Sequence, residues 1–404
     1  MRGLVALLVL VGLLGGGIVL LMRDDGGQPA ARVSVAEALA GDADARYARA
    51  IAPRIFNFPD DHGPHPEFRT EWWYYTGNVE TAEGRHFGYQ LTFFRAALAP
   101  DSPEGPGAVT PARPSAWASR HIYMAHFAVT DTVGQRFHPH SRLARGAAGL
   151  AGAEATPFRV WVEDWVAEGQ AAGAFPMRLR ASEGDVAIDL ALESSRPPAL
   201  QGEHGLSRKG PEPGNASYYY SFTRMPTSGQ VRVGERRFEV RGLSWMDREW
   251  STSALGDARG WDWFALQLDD GRDVMYYRLR QADGSTTRFS AGSVVTPDGR
   301  VRPLGVEDVT LEVLDSWTSP RGEVCYPARW RLTIPGERLR VEIAPRIADQ
   351  EHAEPFPYWE GAVIVRPVTG VRGSPESGPP MGGVGYVELV GYAAPIAGRL
   401  PAPP

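Results

Sequence analysis

Three segments of the sequence place carboxylates among aromatic side chains, a combination that suits acid catalysis on an apolar molecule. They are residues 65–79 (HPEFRTEWWYYTGNV), residues 242–271, and the pair 357–365 and 383–392. Low-dielectric surroundings favour the neutral form of a carboxyl group, which can then donate a proton near neutral pH. Aromatic faces beside the acid stabilise positive charge that develops on a substrate. These residue types therefore indicate a site for proton transfer to an apolar ligand.

The first segment is predicted to be a strand because aromatic residues dominate it. Side chains alternate between the two faces of a strand, so Glu71 lies with Trp73 and Tyr75. Trp72 and Tyr74 lie on the opposite face. Bulky side chains on both faces indicate a strand that is covered on both sides. We expect this strand at the seam between two layers, with Glu71 at the seam.

The same alternation divides the second segment. Asp247 and Glu249 share one face of their predicted strand, whereas Arg248 and Trp250 share the other. We expect Glu71 to approach the Asp247–Glu249 strand, with Trp73 or Trp250 lining a cavity between them.

The strand that follows, residues 260–268, places Asp262 with apolar neighbours and opposite Trp261 and Trp263. If that face is interior, Asp262 is an acid in apolar surroundings; the alternative for each of these carboxylates is a structural pair with an arginine. The candidate catalytic residues are Asp247, Glu249, Asp262 and Glu71. The candidate ligand-binding residues are Trp72, Trp73, Tyr74, Arg248, Trp250, Trp261 and Trp263.

Composition limits the other classes of function. The 404 residues carry a formal charge of −6, which does not suit a nucleic-acid-binding protein. Lys209 is the single lysine and is predicted in a polar loop, so Schiff-base chemistry is not expected. Cys325 is the single cysteine; it excludes an internal disulfide and is predicted to be a buried structural thiol.

Motifs for nucleotide, zinc and serine-hydrolase chemistry do not occur in the sequence. His138 and His140 resemble a ligand pair, but Pro139 between them favours a loop. We therefore expect no metal and no cofactor.

Residues 55–392 consist of short aromatic or branched runs separated by Gly, Pro, Asp and Asn. Asp-Gly pairs at 270–271, 283–284 and 298–299 are typical of β-hairpins. The pattern predicts an all-β body of two antiparallel units. The predicted parts are an anchor or signal peptide (1–25), a linker with a short helix (26–54), barrel 1 (55–240), barrel 2 (241–396) and a tail (397–404).

The run Leu4–Met22 is apolar or glycine throughout and is about as long as a bilayer core is thick. It predicts a membrane anchor with the body facing the periplasm or cell exterior. A cleaved signal peptide, with a site near Ala38–Ala40, is the alternative and would give a secreted protein.

The sequence resembles the AttH-like family, which is related to carotenoid 1,2-hydratases. Residues 70–77 (TEWWYYTG), 245–251 (WMDREWS) and 260–268 (GWDWFALQL) carry the resemblance, which extends from about Phe56 to Tyr392. It implies two tandem lipocalin-like barrels. In the related hydratases water is added to an alkene, and a histidine lies near the position of Arg248.

Residues and resemblance together favour an extracytoplasmic protein that binds a terpenoid or lipid-like molecule and acts on it by carboxylic-acid catalysis. One alternative is a non-catalytic envelope lipid carrier that works with a membrane transporter of the ABC type. Another is a secreted hydrolase, for which the sequence offers no nucleophile motif.

The anchor prediction is tested by cell fractionation. Because an uncleaved apolar run partitions into the bilayer, intact protein should sediment with membranes and keep its N-terminal mass in mass spectrometry. A soluble form that begins near Gly41 would instead identify a signal peptide.

Overall fold

The described residues form an all-β body, as predicted. The structure, a computed structural model, describes residues 46–98, 119–171, 173–252, 255, 258–368 and 381–393. They all belong to one compact unit of the chain and form two antiparallel sheets. None of their helical turns is long and apolar enough to cross a membrane. The predicted anchor lies outside these residues, and residues 46–54 of the predicted linker contain no helix.

The first sheet has 13 strands and curls into a nearly closed barrel. Its strands are β1 (Thr70–Glu80), β2 (His86–Ala97), β3 (His121–Asp131), β4 (Arg136–Arg145), β5 (Ala151–Ala155), β6 (Phe158–Val162), β7 (Trp165–Gly169), β8 (Met177–Glu183), β9 (Val186–Leu192), β10 (Ala199–Leu200), β11 (Leu206–Arg208), β12 (Ala216–Val233) and β13 (Arg236–Ser251). The order across the sheet is β4-β3-β2-β1-β13-β12-β9-β8-β7-β6-β5, and β10 and β11 pair with β12.

The second sheet has 10 strands and curls into a half barrel. Its strands are β14 (Gly260–Leu268), β15 (Asp273–Arg280), β16 (Ala291–Val295), β17 (Val301–Leu304), β18 (Thr310–Thr318), β19 (Cys325–Ile334), β20 (Leu339–Pro345), β21 (Glu351–His352), β22 (Tyr358–Pro367) and β23 (Gly383–Val390). The order is β17-β16-β15-β14-β23-β22-β20-β19-β18, with β21 on β22. Short 3₁₀ turns occur at Asp60–His62, Val306–Asp308 and Pro335–Glu337.

The two sheets are the two lipocalin-like units that were predicted, but the boundary between them lies at a different point of the chain. The predicted boundary at residues 240 and 241 falls inside β13, which belongs to the first sheet. The chain passes to the second sheet between Ser251 and Gly260.

The Asp-Gly pairs connect strands β14 to β17 as predicted. Gly271, Gly284 and Gly299 have φ values of 84°, 81° and 83°, which a residue with a side chain rarely adopts.

Two local predictions are wrong. His138, Pro139 and His140 lie in β4, which is the edge strand of the first sheet, and an edge strand tolerates proline because its outer N–H groups need no partner. Cys325 is exposed rather than buried. It is the first residue of β19, where the strand begins at the end of the sheet.

The interior of the first barrel contains a buried ion cluster around Glu71. Arg95 donates from Nε to Glu71 Oε1 at 2.7 Å, and Arg248 pairs with the other carboxylate oxygen. The three side chains are 0–1% exposed. Burial alone would raise the pKa of Glu71, but the guanidinium groups of Arg95 and Arg248 outweigh it and hold that pKa well below its usual value. Glu71 is therefore ionised inside the barrel.

Breaking this cluster should destabilise the fold. Replacing Arg248 by Met leaves the Glu71 carboxylate with less compensation, and we expect the free energy of unfolding to fall by about 3–5 kcal/mol in urea titrations. The matched control is Arg178→Met, which removes the half-exposed Arg178–Asp189 pair and should cost less than about 1 kcal/mol. Equal losses in the two variants would contradict a stabilising role for the cluster.

Candidate functional site

A cavity of about 120 Å³ that is partly open to solvent lies between the two sheets. Aromatic side chains from both sheets form much of its wall, among them Trp72 and Tyr74 from β1 and Trp261 and Trp263 from β14. The rings of Tyr74 and Trp263 meet across the seam with their centroids 5.0 Å apart. One face of β1 therefore covers a second layer, as its aromatic residues predicted.

Strand register places a row of polar side chains along the first-sheet wall of the cavity. His126 on β3 pairs with Thr92 on β2, Thr92 with Tyr74 on β1, and Tyr74 with Asp247 on β13. Residues that are directly opposite on neighbouring strands share a face of the sheet. All four side chains accordingly line the same cavity.

The second sheet contributes two neighbouring carboxyl groups. Glu388 on β23 pairs directly with Glu360 on β22 and, on its other side, with Trp263 on β14. Opposite side chains on neighbouring strands have Cβ atoms about 5 Å apart, so the two carboxyl groups are close. Glu388 lines the cavity, and Glu360 lies behind Tyr74, whose hydroxyl donates to Oε1 of Glu360.

Asp247 is buried among hydrogen-bond donors. The Tyr219 hydroxyl donates to Oδ2 at 2.5 Å and Trp245 Nε1 donates to Oδ1 at 2.7 Å. Burial raises the pKa of Asp247 to about 7 although these donors oppose the change. Near neutral pH this group therefore exists in both protonation states.

Glu388 has a similar pKa for a partly different reason. Burial is the main cause, and the charges of Glu249 and Asp247 add to it, so the pKa of Glu388 rises to about 7. Its Oε2 accepts from Trp261 Nε1 at 2.8 Å, and its side chain is half-buried. Burial and the charge of Glu388 place the pKa of Glu360 well above its usual value, so Glu360 is the neutral member of that pair.

Lys209 lies in a loop, as predicted, but its side chain is buried. It lines the cavity, is 8% exposed and forms an ion pair with Glu249. Its ammonium group also lies over the rings of Tyr219 and Tyr277, 5.4 and 5.3 Å from their centroids. The carboxylate and the aromatic faces draw the side chain inward, and Lys209 neutralises the charge of Glu249.

The structure separates the predicted site residues into two groups. Those that meet at the cavity are Trp72, Tyr74, Asp247, Glu249, Trp261 and Trp263. Those that lie elsewhere are Glu71, Trp73, Arg248, Trp250 and Asp262.

Glu71 does approach the strand of Asp247 and Glu249, because Arg248 on that strand pairs with it, but it does not share a site with Asp247 at the seam. The strands β1 and β13 are paired as neighbours, but Glu71 stands opposite Trp250 and Asp247 opposite Tyr74. The carboxyl groups therefore point to opposite faces of the sheet. Trp73 and Trp250 belong to the apolar core of the first barrel and do not line the cavity.

Asp262 is buried in the second unit, but it is not an isolated acid. Arg278 Nε donates to Oδ2 at 2.9 Å and Arg280 Nε donates to Oδ1 at 3.0 Å. The Tyr392 hydroxyl donates to Oδ1 at 3.0 Å. Asp262 is therefore a structural carboxylate paired with arginines, which was the alternative to a catalytic role.

Several cavity residues were not predicted from the sequence, chiefly Glu388, Tyr219 and His126. Glu388 lies in residues 383–392, which were recognised as an aromatic segment with a carboxylate, and alternation along β23 could have separated it from Val387 and Leu389. Across the described residues, no group of three or more His, Cys, Asp or Glu side chains is arranged to hold a metal ion.

The fold and this cavity define a protein of two tandem lipocalin-like units with an aromatic, acid-lined cavity between them. The model of the AttH-like family matches residues 49–392. The chain belongs to the AttH-like family.

Solved structures agree with this assignment. The crystal structure of a candidate AttH protein from Nitrosomonas europaea is 33% identical, with a TM-score of 0.72, over 85% of this chain and 99% of that one. Kievitone hydratase from Nectria haematococca is 15% identical, with a TM-score of 0.62, over 86% of this chain and 96% of that one. The second likeness shows the fold alone. A comparison with curated proteins finds no match.

The raised pKa of Asp247 gives a pH prediction with a definite sign. Its pKa is about 7 in the folded protein and about 3.8 when unfolded, so between these values the folded state holds the extra proton. Stability from this group is complete below about pH 4 and falls as pH rises through 7. Asp247→Asn should make the decline between pH 4.5 and 7 shallower by up to ~1.4 kcal/mol per pH unit, measured by urea unfolding.

The control for this experiment is Asp298→Asn. Asp298 is on the surface, and hydrogen bonds, chiefly from Thr296, lower its pKa to about 2, so its contribution changes only below pH 4. The two variants should therefore alter different parts of the pH profile. An unchanged slope above pH 4.5 in Asp247→Asn would contradict the raised pKa.

Proposed function

We propose that this protein binds an apolar, unsaturated small molecule in the cavity between its sheets and adds water across a carbon–carbon double bond by acid catalysis. One observation carries the proposal: Asp247 and Glu388, on different sheets, both line one aromatic cavity, where burial raises the pKa of each to about 7. Such groups supply both a proton donor and a proton acceptor at neutral pH.

Binding follows from the wall of the cavity. Trp72, Trp261 and Trp263 offer large apolar faces, and each 100 Å² of apolar surface removed from water contributes about 2.5 kcal/mol. The nearby carboxyl groups are partly neutral, so the cavity does not strongly repel an uncharged ligand.

Glu388 is the better placed proton donor. It is half-buried at the cavity wall, and Trp261 Nε1 is the donor to its Oε2. Both oxygens of Asp247, in contrast, accept bonds from Tyr219 and Trp245. These bonds favour the carboxylate of Asp247, which suits a base that activates water.

The proposed reaction is the addition of one water molecule to one double bond. Glu388 transfers its proton to one carbon of the double bond, and the other carbon becomes a cation that the faces of Trp261 and Trp263 stabilise, by about 0.5–2 kcal/mol each. Water adds to that carbon, and Asp247 accepts a proton from the water. Transfer of that proton back to Glu388 through solvent restores the site, and the net change is alkene plus water to alcohol.

An enzyme that is named a hydratase has the same fold, at an identity that shows the fold alone. Two arguments favour hydration over the other functions. The hydrolase alternative still lacks a nucleophile motif. A non-catalytic lipid carrier, with or without a membrane transporter, would use the same cavity but would not need carboxyl groups with raised pKa values. Placement outside the cytoplasm stays a prediction.

Removing either titratable proton should lower turnover strongly with little effect on binding. Candidate substrates are unsaturated terpenoids and lipids, screened by mass spectrometry for the gain of one water. Because general acid or base catalysis typically contributes 10²–10⁴, Glu388→Gln and Asp247→Asn should each lower kcat by about that factor. Ligand affinity, measured by tryptophan fluorescence, should change only a few-fold.

The control is Asp189→Asn, which alters a half-exposed carboxylate of the first sheet and should keep full turnover. If the protein binds members of the panel but hydrates none of them, the carrier function replaces the catalytic one. If both cavity variants keep full turnover, Asp247 and Glu388 are not the base and the acid of the reaction.

A further inference from the structure

Two polar atoms at the cavity wall have no hydrogen-bond partner within the described part of the protein. They are Thr92 Oγ1 and His126 Nε2, both of them buried. Thr92 and His126 stand directly opposite each other on β2 and β3 and both line the cavity. Buried polar atoms in folded proteins are nearly always paired, so two adjacent exceptions at a cavity indicate a place for a polar group of a ligand.

His126 is held in position by its other ring nitrogen. Its Nδ1 lies 2.6 Å from the Tyr358 hydroxyl, which also accepts from Gln90 Nε2 at 3.2 Å. Gln90 is fixed in turn, because its Oε1 accepts from His352 Nε2 at 2.9 Å and its amide donates to Glu360. This network orients the imidazole and leaves Nε2 as the free nitrogen.

Thr92 and His126 form a polar subsite that is itself uncharged, and it therefore favours an uncharged ligand group. Burial lowers the pKa of His126 to about 4, so its ring is neutral at pH 7. A neutral imidazole and a hydroxyl group can each donate or accept a hydrogen bond, but they supply no countercharge for an ionised group. The ammonium group of Lys209 also lines the cavity, but it is paired with Glu249, so it is not a free countercharge for an anionic ligand.

The register gives the distance from this subsite to the acid residues. The row His126, Thr92, Tyr74 and Asp247 crosses four neighbouring strands, which lie about 4.8 Å apart. Asp247 is two strand spacings from Thr92 and three from His126, so the separation along the sheet is roughly 10–14 Å. Apolar side chains of the adjacent row, Phe94 and Trp72, cover the wall between them.

On the basis of the function proposed above, we propose that the ligand is an elongated amphiphile with one uncharged oxygen group. Thr92 and His126 bind that hydroxyl or carbonyl group. The apolar chain runs past Tyr74 and places its double bond at Asp247 and Glu388, roughly 10–14 Å away. The substrate class is then a terpenoid or lipid alcohol or ketone, in preference to a hydrocarbon or a free fatty acid.

Three probes with one carbon skeleton test the proposal: the alcohol farnesol, the hydrocarbon farnesene and the anion of farnesoic acid. Binding to the full chain is followed by tryptophan fluorescence at pH 7. Because the hydrocarbon cannot form the buried hydrogen bond that the alcohol forms, the protein should bind the alcohol about tenfold more tightly than the hydrocarbon. It should also bind the alcohol more tightly than the anion.

Thr92→Val and His126→Phe remove the polar atoms and keep side chains of similar shape. Each should reduce the preference for the alcohol over the hydrocarbon to about two- or threefold or less, and hydrocarbon binding should persist, which shows that the cavity is intact. Glu388→Gln is the matched control, because it alters the acid and should leave the full preference for the alcohol.

These measurements test the polar subsite and the proposed apolar cavity function separately. If the wild type binds all three probes without preferring the alcohol, or if both polar variants keep that preference, the polar subsite is excluded and the apolar cavity function stands. If the wild type binds none of the probes, binding of an apolar chain fails and the inference fails with it. A lost hydration activity in Glu388→Gln with an unchanged alcohol preference supports both.

Discussion

Antiparallel pairing of β1 with β13 creates a wall with two unlike faces, and the rest of the molecule depends on it. The face inside the first barrel carries Glu71 between Arg95 and Arg248. The opposite face carries Tyr74 and Asp247 into the cavity. Because side chains alternate with a period of two, a slip of one residue would exchange these faces. The two arginines that hold the Glu71 carboxylate inside the barrel oppose such a slip, and they thereby keep Asp247 at the cavity.

The surroundings of the buried carboxyl groups distinguish structural from chemical roles. Glu71 and Asp262 each contact two guanidinium groups, which compensate the negative charge in place. Asp247 and Glu388 have hydrogen-bond donors but no arginine partner among the described residues, and burial raises both pKa values to about 7. At Glu71 the two guanidinium groups outweigh burial and keep the carboxyl group ionised, whereas at Asp247 and Glu388 burial prevails and each group can exchange a proton near neutral pH.

The sequence predicted the alternation within each strand and the approach of Glu71 to the strand of Asp247 and Glu249, but not which face of these strands covers the barrel core. Asp247 and Glu249 share one face of their strand, and Glu71 and Trp73 share one face of theirs. Both follow from the alternation of side chains along a strand and agree with the structure. A strand that is covered on both sides has one face in the barrel core and the other at the seam. Which face is which depends on pairing with distant strands, and this pairing cannot be predicted from the number of aromatic residues. The same limit applies to Lys209, whose position depends on Glu249, 40 residues further along the chain.

The acid site is an assembly of both sheets, and neither sheet contains it alone. The charges of Glu249 and Asp247 on the first sheet help to raise the pKa of Glu388 on the second. Across the same seam Tyr74 donates to Glu360, which keeps that carboxyl group in its place beside Glu388. Moving the sheets apart would hydrate these groups and remove the burial that is the main cause of both raised pKa values. The pKa values of the acids in the cavity therefore depend on the contact between the two sheets.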